Sequence, residues 1–256
     1  MIDRFEIQIA TSMPQNQAEI KIVADAAALA REAVEEFSRC AEAAVAAHGR
    51  FTVALSGGNT PRAVYTLLVA EKRDSLLWDK IFVFFGDERH VPPDDPDSNY
   101  RMANESLLSR VPIPAENVFR IQAELPAAVA AEKYENSLRE FFKLQAGSWP
   151  HFDLVFLGLG DDGHTASLFP GSAALNENDR LVVANRVDKF AAYRITFTFP
   201  VLNHAAEALF LVSGAGKAAI LREVLRSERA IYPAGLVRLE QGRILWIVDK
   251  EAAKLL

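Results

Sequence analysis

The chain has 256 residues, of which 50% are hydrophobic and 24% charged, so it can bury a sizeable core and is not a disordered protein. Its formal net charge of −6 provides no general basic field, which argues against nucleic acid or an anionic membrane as a partner. The N-terminus lacks a basic start followed by an apolar run, and no later stretch is apolar enough to span a membrane. We therefore predict a cytoplasmic monomer in which residues 1–256 form one domain, with a smaller lobe as the alternative.

Cys40 is the only cysteine of the chain, so neither an intramolecular disulfide nor a cluster of thiolate ligands can form. Because its surroundings are rich in alanine, we predict that Cys40 faces the core from a helix. The acidic, proline-rich segment 91–97 predicts an exposed loop rather than a metal site, because its prolines prevent a regular ligand-bearing turn. We predict no bound metal.

Helical and strand-like patterns alternate along the whole chain. The first long pattern predicts a helix over residues 17–48, followed by a strand at 51–55 and a helix that opens at Pro61. Further strands are predicted at 81–85, 152–158, 181–184, 195–199, 208–212 and 244–248. Further helices are predicted at 100–109, with Ser98 or Asn99 as the cap, and at 127–142, 216–225 and 250–255.

Near-continuous apolar strands separated by helices predict a doubly wound, Rossmann-like α/β fold, with a mainly parallel sheet and helices on both faces. In such folds, ligands bind beyond the carboxyl ends of the strands. The loops after three of the predicted strands contain most of the glycine, aspartate, arginine and histidine residues with chemical potential. We therefore expect the functional site at that edge of the sheet.

The first of these loops contains Ser56, Gly57, Gly58 and Thr60, between a strand and the helix that Pro61 begins. Glycines let the backbone approach a ligand closely, and free N–H groups at a helix N-terminus favour an anion, so the loop suits a phosphate. A tight turn with Thr60 as the helix cap is the equally weighted alternative. A nucleoside-triphosphate loop is not expected, because the Gly-Lys-Ser/Thr sequence is absent.

The second loop contains Asp87, Glu88 and Arg89, followed by His90. Charged groups at the end of an apolar strand are costly to bury unless they are paired, so they form a structural ion network or face a polar substrate. Arg89 is able to hold a phosphate or carboxylate with two hydrogen bonds, and Asp87 is able to accept hydrogen bonds from sugar hydroxyls. We interpret His90 as a surface or capping residue.

The third loop, residues 158–163, formally matches the Gly-x-Gly-x-x-Gly dinucleotide fingerprint. However, Asp161 and Asp162 would face the pyrophosphate, and no evident amphipathic helix follows, so we expect no nicotinamide or flavin cofactor. The loop suits acid–base chemistry instead, because histidine ordinarily titrates near neutrality and Asp162 is placed to orient His164. A structural role for His164 is the alternative.

Two further cations complete the set of candidate residues. Arg194 precedes a predicted strand, and Lys217 lies at the start of a predicted helix. A lysine at a helix N-terminus opposes the helix dipole, so its position is more favourable when an anion lies between them. Lys217 is therefore a candidate phosphate ligand, with a solvated surface lysine as the alternative.

Taken together, the segments 55–62, 84–89 with Ser98 and Asn99, 160–170, and 194–200 with Leu202 and Asn203 closely resemble those of the 6-phosphogluconolactonases. These segments occur in the order of that family and span nearly the whole chain. The resemblance implies hydrolysis of 6-phospho-D-glucono-1,5-lactone, the second step of the oxidative pentose-phosphate pathway, without a cofactor. It also implies a relationship to the glucosamine-6-phosphate deaminases.

The deaminases carry a glutamate five residues after the corresponding histidine, where this chain has Phe169, so the resemblance favours the lactonase. It assigns one group of residues to the substrate's phosphate: Ser56, Gly57, Gly58, Thr60, Arg194 and Lys217. It assigns Asp87, Arg89, Asp162 and His164 to the sugar and the reacting carbon, and we add Gly163 to the predicted substrate-binding residues.

The corresponding hypothesis is that neutral His164 activates a water molecule, which attacks the lactone carbonyl. Backbone N–H groups of the glycine loop, or Arg89, would stabilise the oxyanion that forms. The expected partner is a small phosphorylated sugar lactone. A related isomerase or deaminase and a non-enzymatic sugar-phosphate sensor are the alternatives.

Overall fold

A computed structural model describes residues 18–226 and 231–256. Its strands are β1 (Glu19–Val23), β2 (Phe51–Leu55), β3 (Ile81–Phe85), β4 (Asp87–Arg89), β5 (Leu154–Gly158), β6 (Val182–Val187), β7 (Ala192–Phe197), β8 (Glu207–Val212) and β9 (Arg243–Asp249). Its helices are α1 (Ala26–His48), α2 (Asn59–Lys72), α3 (Asn99–Ser106), α4 (Ala127–Phe142), α5 (Phe199–Asn203), α6 (Ala218–Arg226), α7 (Pro233–Leu236) and α8 (Lys250–Ala253). None of the described helices has the length and apolar character needed to cross a bilayer.

Six strands form one parallel sheet in the order β1-β9-β8-β5-β2-β3, with helices around it. Every residue of β2 and of β8 is buried, as the near-continuous apolar runs of these strands require. The predicted Rossmann-like α/β fold with a mainly parallel sheet is confirmed. The strand order places the loops after β2 and β8 on either side of the loop after β5.

The sequence prediction is wrong at the start of the long first helix. Residues 19–23 form β1, which pairs with β9 at the edge of the sheet, and Gln17 lies outside the described residues. The β-branched Ile20 and Ile22 alternate with polar residues, a strand period that the longer helical pattern concealed. The helix begins only after Asp25, whose side chain accepts a hydrogen bond from the Ala28 N–H.

The structure also differs from the prediction at the ends of other strands and helices. The strand predicted at 195–199 ends at Phe197, because Pro200 lies in the first turn of α5. The helix predicted at 100–109 ends at Ser106, and Ser98 caps it by accepting a hydrogen bond from the Arg101 N–H. Cys40 is buried on α1 as predicted, and burial raises the pKa of its thiol well above its ordinary range.

A second, antiparallel sheet in the order β4-β7-β6 was not predicted as a unit. Strand β4 is short and polar, so its sequence carries no apolar strand pattern. Gly86 connects β3 to β4: its N–H donates to the Leu55 carbonyl, and its own carbonyl accepts from the Phe197 N–H. This arrangement places the second sheet beside the carboxyl ends of β2 and β3.

Candidate active site

A cleft of about 480 Å³ lies beyond the carboxyl ends of the parallel strands. Loops that follow β2, β3, β5 and β8 contribute to it, as does the second sheet. The predicted site residues that line it are Ser56, Gly57, Asp87, Arg89, His164, Arg194 and Lys217. Residues more than 160 positions apart in the chain therefore meet in one cleft.

Four predicted site residues do not line the cleft. Gly58 is exposed at the N-cap of α2, and Thr60 lies half-buried in the first turn of that helix. Asp162 contacts His164 from the side, and Gly163 packs against Tyr232. The alternative for this loop, a turn in which Thr60 caps a helix that starts at Pro61, is wrong, because α2 starts at Asn59 and has no side-chain cap.

A close contact with Asn99 requires glycine at position 57 of the glycine loop. A Cβ atom at Gly57 would lie 1.8 Å from Asn99 Oδ1, so no larger residue fits without displacing that side chain. Gly58 has a φ of 106°, a conformation that L side chains rarely adopt. Among the described residues, the N–H groups of Gly57 through Thr60 have no hydrogen-bond acceptor, so they remain available to an anion.

Asp87 and Glu88 point in opposite directions along β4 and have different roles. Asp87 faces the cleft, where its Oδ2 accepts a hydrogen bond of 2.6 Å from Ser167 Oγ. Glu88 is buried and accepts hydrogen bonds from the N–H groups of Asn99 and Tyr100, at 2.7 and 2.8 Å. Burial raises the pKa of Glu88, although these hydrogen bonds act in the opposite direction. Glu88 is thus a structural carboxyl group at the start of α3.

Arg89 and Arg194 are directly opposite each other in the antiparallel pair of β4 and β7. Like charges in such positions destabilise a sheet. Neither guanidinium is within 4.0 Å of a carboxylate of the described residues, although Arg89 Nη1 donates to the Asp97 carbonyl. Burial and the charge of Arg89 lower the pKa of Arg194. The pair therefore favours an anion in the cleft.

Lys217 lies in the turn Ala215–Lys217, immediately before α6. Its Nζ forms a hydrogen-bonded ion pair with Asp161, which lowers the pKa of that largely exposed carboxyl group. Asp161 belongs to the loop of His164, so Lys217 lies beside that loop at the end of β8, the neighbour of β5. The alternative of a fully solvated Lys217 does not hold.

His164 and Asp162 form a hydrogen-bonded pair, with 2.5 Å between His164 Nδ1 and Asp162 Oδ1. Burial alone would raise the pKa of Asp162, but hydrogen bonds from His164 and Lys189 outweigh it and lower the pKa to about 2. An ionised Asp162 accepts a hydrogen bond from the Nδ1–H, which fixes the imidazole tautomer with its lone pair on Nε2. Nε2 makes no hydrogen bond with any described residue.

Two further contacts restrict the ring of His164. Phe169 stacks on it with a centroid distance of 4.1 Å, and a Cβ atom at Gly160 would overlap it. The Gly160 N–H donates to the His164 carbonyl at 2.9 Å, which closes the loop. Phe169 therefore provides an apolar wall beside the imidazole.

Buried polar atoms without partners are concentrated in this cleft. In the part of the chain that the structure describes, three buried side-chain oxygens have no hydrogen-bond partner: Ser56 Oγ, Asn99 Oδ1 and Thr165 Oγ1. All three belong to residues that line the cleft. Because burying an unpaired polar group costs free energy, these atoms indicate a surface built to bind a polar ligand.

Comparison with known proteins gives the family of the chain. The family model for glucosamine-6-phosphate isomerases/6-phosphogluconolactonase matches residues 24–246. The chain is 42% identical to a 6-phosphogluconolactonase of Nostoc over 91% of its own length and 96% of the relative's. The chain belongs to the glucosamine-6-phosphate isomerase/6-phosphogluconolactonase family.

Further relatives agree with that membership. A Synechocystis 6-phosphogluconolactonase is 46% identical, with 82% of this chain and 87% of the relative covered. The solved structure of a 6-phosphogluconolactonase from Trypanosoma brucei superposes with a TM-score of 0.84 at 32% identity, covering 96% of this chain and 100% of that one. A monomeric glucosamine-6-phosphate deaminase, at 18% identity and a TM-score of 0.77, shares the fold.

Several residues that line the cleft were not among the site residues predicted from the sequence. Those that line the cleft include Asn99, Asp161, Thr165, Ser167, Lys189 and Phe190. Asn99 was considered only as a helix cap and as part of the resemblance, and nothing in the local sequence shows its contact with Gly57. Lys189 and Phe190 lie in the turn between β6 and β7, which contains no glycine and only one acidic residue, Asp188.

A buried group outside the cleft has metal-ligand chemistry but does not fit a metal. The carboxylates of Glu36 and Glu207 and the thiol of Cys40 lie within 4.8 Å of one another. Arg39 and Arg243 already pair with both carboxylates. Since the Cys40 pKa is raised, a thiolate ligand is unfavourable there.

Asn99 Nδ2 donates to the Asp87 carbonyl at 3.0 Å, so replacing Gly57 by alanine should displace Asn99 and, through it, Asp87. We expect the Gly57→Ala variant to lose roughly tenfold or more in kcat/KM, because misplaced binding groups are costly in catalysis. Gly216→Ala is the matched control, because nothing lies within 4 Å of the added Cβ and its φ is ordinary. Equal kcat/KM values for the two variants would contradict the proposed contact.

Replacing Asp162 by asparagine should change stability in a pH-dependent way. The folded-state pKa of about 2 is below the ordinary 3.8, so the ionised group stabilises the fold above pH 3.8 and loses this contribution towards pH 2. Urea unfolding should show a loss of about 1 kcal/mol or less at pH 7, and a smaller loss near pH 3. Asp74→Asn, at a largely exposed aspartate, is the control. A loss that is the same at both pH values would refute the assignment.

Proposed function

We propose that this chain hydrolyses 6-phospho-D-glucono-1,5-lactone to 6-phospho-D-gluconate, the second step of the oxidative pentose-phosphate pathway. The observation that carries the proposal is the Asp162–His164 pair, which faces a cationic cleft and is walled by Phe169. A base oriented by a carboxylate suits attack of water on an activated ester, and a lactone needs no nucleophilic serine or cysteine. The relatives with the name 6-phosphogluconolactonase support the same activity.

His164 is proposed to act first as base and then as acid. Its Nε2 takes a proton from water as the water oxygen bonds to the lactone carbonyl carbon, which gives a tetrahedral oxyanion. When the oxyanion collapses, the bond from that carbon to the ring oxygen breaks, and the imidazolium returns its proton to the ring oxygen. The product is an open-chain acid, which ionises at neutral pH.

Asp162 supports both steps. Its negative charge next to Nδ1 stabilises the imidazolium that forms in the first step and keeps the ring in the required tautomer. The oxyanion has two candidate partners, the Arg89 guanidinium and the free N–H groups of the glycine loop. Both belong to elements that border the same cleft as His164.

The phosphate of the substrate is proposed to bind to the glycine loop, Arg194 and Lys217. Free N–H groups at the start of α2 and the uncompensated charge of Arg194 both favour a dianion. Lys217 would exchange its exposed partner Asp161 for the phosphate. Ser56, Thr60 and Gly163 complete the predicted binding residues, and Asp87 is assigned to the sugar hydroxyls.

A deaminase is the less favoured function for this cleft. Ring opening of an amino sugar would need an acid at the position of Phe169, which is buried and stacked on His164. We further propose that the protein acts in the cytoplasm as a monomer of one domain, without cofactor or metal. These last points stay predictions from the sequence.

Replacing His164 should mainly lower turnover. We expect the His164→Gln variant to lose roughly 10²- to 10⁴-fold in kcat, with a small change in KM, because a general acid–base group acts in the transition state. The assay couples lactone opening to 6-phosphogluconate dehydrogenase, with spontaneous hydrolysis subtracted. The exposed His151→Gln is the matched control. Full turnover by the His164 variant would contradict the assignment of His164 as the acid–base residue.

Replacing Arg194 should mainly weaken binding of the phosphate. We expect Arg194→Ala to raise KM for the phosphorylated lactone roughly tenfold or more, because a charge-assisted hydrogen bond is lost. Glucono-1,5-lactone, which lacks the phosphate, serves as the internal control, and its slower hydrolysis should be unaffected. An equal loss with both lactones would contradict phosphate binding by Arg194.

A further inference from the structure

The turn between β6 and β7 lies over the proposed catalytic pair, although nothing in its sequence marks it as functional. It comprises the single helical turn Asp188–Phe190 followed by Ala191, whose φ of 48° is unusual for a residue other than glycine. Lys189 and Phe190 both line the cleft. The turn thus presents two side chains to the cleft from a backbone in an uncommon conformation, which is typical of functional sites.

Phe190 anchors this turn on the cleft. Its ring meets that of Phe169 edge-on with a centroid distance of 5.8 Å, and Phe169 in turn stacks on His164. The Arg194 guanidinium lies 5.2 Å from the Phe190 centroid, within the range of a cation–π contact. The turn is thereby fixed relative to His164.

Lys189 reaches the carboxylate that orients the histidine. Its Nζ donates to Asp162 Oδ2 at 3.1 Å, while Asp162 Oδ1 bonds to His164 Nδ1 at 2.5 Å. Each oxygen of Asp162 thus has one side-chain partner, and the two bonds define the orientation of the carboxylate. The side chain of Lys189 is 56% exposed, so the stability that this ion pair adds is small.

We propose that Lys189 is a positioning residue that holds Asp162 in the orientation in which it bonds to His164, and that moderates the charge of Asp162 on the imidazole. This inference rests on the proposed function of the pair. Lys189 makes no contact with the reacting atoms in this role. It acts through Asp162, as carboxylates behind catalytic histidines are themselves held by hydrogen bonds.

The charges around His164 predict the direction in which the pH dependence of activity should move when Lys189 is lost. The charged residues that line the cleft around His164 are Asp87, Arg89, Asp161, Lys189, Arg194 and Lys217, and Asp162 contacts the imidazole from its own loop. Asp161 is already paired with Lys217, so Asp162 is the anion in direct contact with the imidazole. Without Lys189, the full charge of Asp162 would act on the ring and favour the imidazolium. The acidic limb of the activity profile would then move to higher pH.

The test compares the pH dependence of kcat/KM for the wild-type enzyme and for Lys189→Met, Lys189→Arg and Arg186→Met. Arg186 lies on the same hairpin and pairs with Asp188, so its variant controls for loss of a nearby cation. We expect Lys189→Met to move the acidic limb up by roughly 0.2 to 0.7 pH units and to lower kcat roughly twofold to fivefold. KM should change little, Lys189→Arg should restore the profile, and Arg186→Met should leave it unchanged.

Two results would overturn the proposal. An unmoved profile in Lys189→Met would show that Lys189 does not act on the pair. A raised KM with an unmoved profile would show that Lys189 binds the substrate directly. A purely structural role would lower activity without moving the pH limb.

An NMR titration of the histidine ring nitrogens, without substrate, separates this proposal from the proposed function. The His164→Gln variant assigns the His164 signal, and Lys189→Met should shift its titration upward in the same direction as the kinetic limb. If the wild-type enzyme does not open the lactone but the titration shifts, the function fails and the positioning role stands. If the lactone is opened but the titration does not shift, the positioning role alone fails.

Discussion

The hydrogen bond between Asp162 and His164 is the interaction on which the proposed chemistry depends. An imidazole is able to act as a base only if one ring nitrogen keeps its lone pair and points at the substrate, and the ionised Asp162 selects that tautomer by accepting from Nδ1. The surrounding residues serve this geometry. Gly160 leaves room for the ring, Phe169 covers one face of it, and Lys189 holds the second carboxylate oxygen.

Binding of an anionic substrate also requires local cations, because the chain as a whole is acidic. Pairing of β4 with β7 places Arg89 opposite Arg194. The repulsion between the two guanidinium groups is unfavourable without a ligand, and a bound anion would compensate for it. Glu88, on the other side of β4, bonds to the start of α3 and so fixes Asn99, which contacts Gly57 in the phosphate loop. Strand β4 therefore connects the glycine loop, where the phosphate is proposed to bind, with the residues that are proposed to contact the sugar.

Local sequence patterns were sufficient for the fold class and for the glycine and histidine loops, because buried strands and the loops after them have distinctive compositions. They were insufficient for β1, where a strand period was hidden beside a long helix, and for β4, which is short and polar. They also missed Lys189 and Phe190, because these side chains reach the cleft only through the pairing of β6 with β7 and the contacts of the turn. Such contacts depend on tertiary structure rather than on neighbouring residues.

The most direct test of the account is a crystal structure of the protein with 6-phosphogluconate, the proposed product. We expect the carboxylate to lie within hydrogen-bond distance, about 3 Å, of His164 Nε2, and the phosphate to contact Arg194, Lys217 and the N–H groups of the glycine loop. Ser56 Oγ, Asn99 Oδ1 or Thr165 Oγ1 should gain partners from the ligand. A product bound in the cleft with its phosphate beside His164 and its carboxylate at Arg194, or bound elsewhere on the protein, would contradict the account.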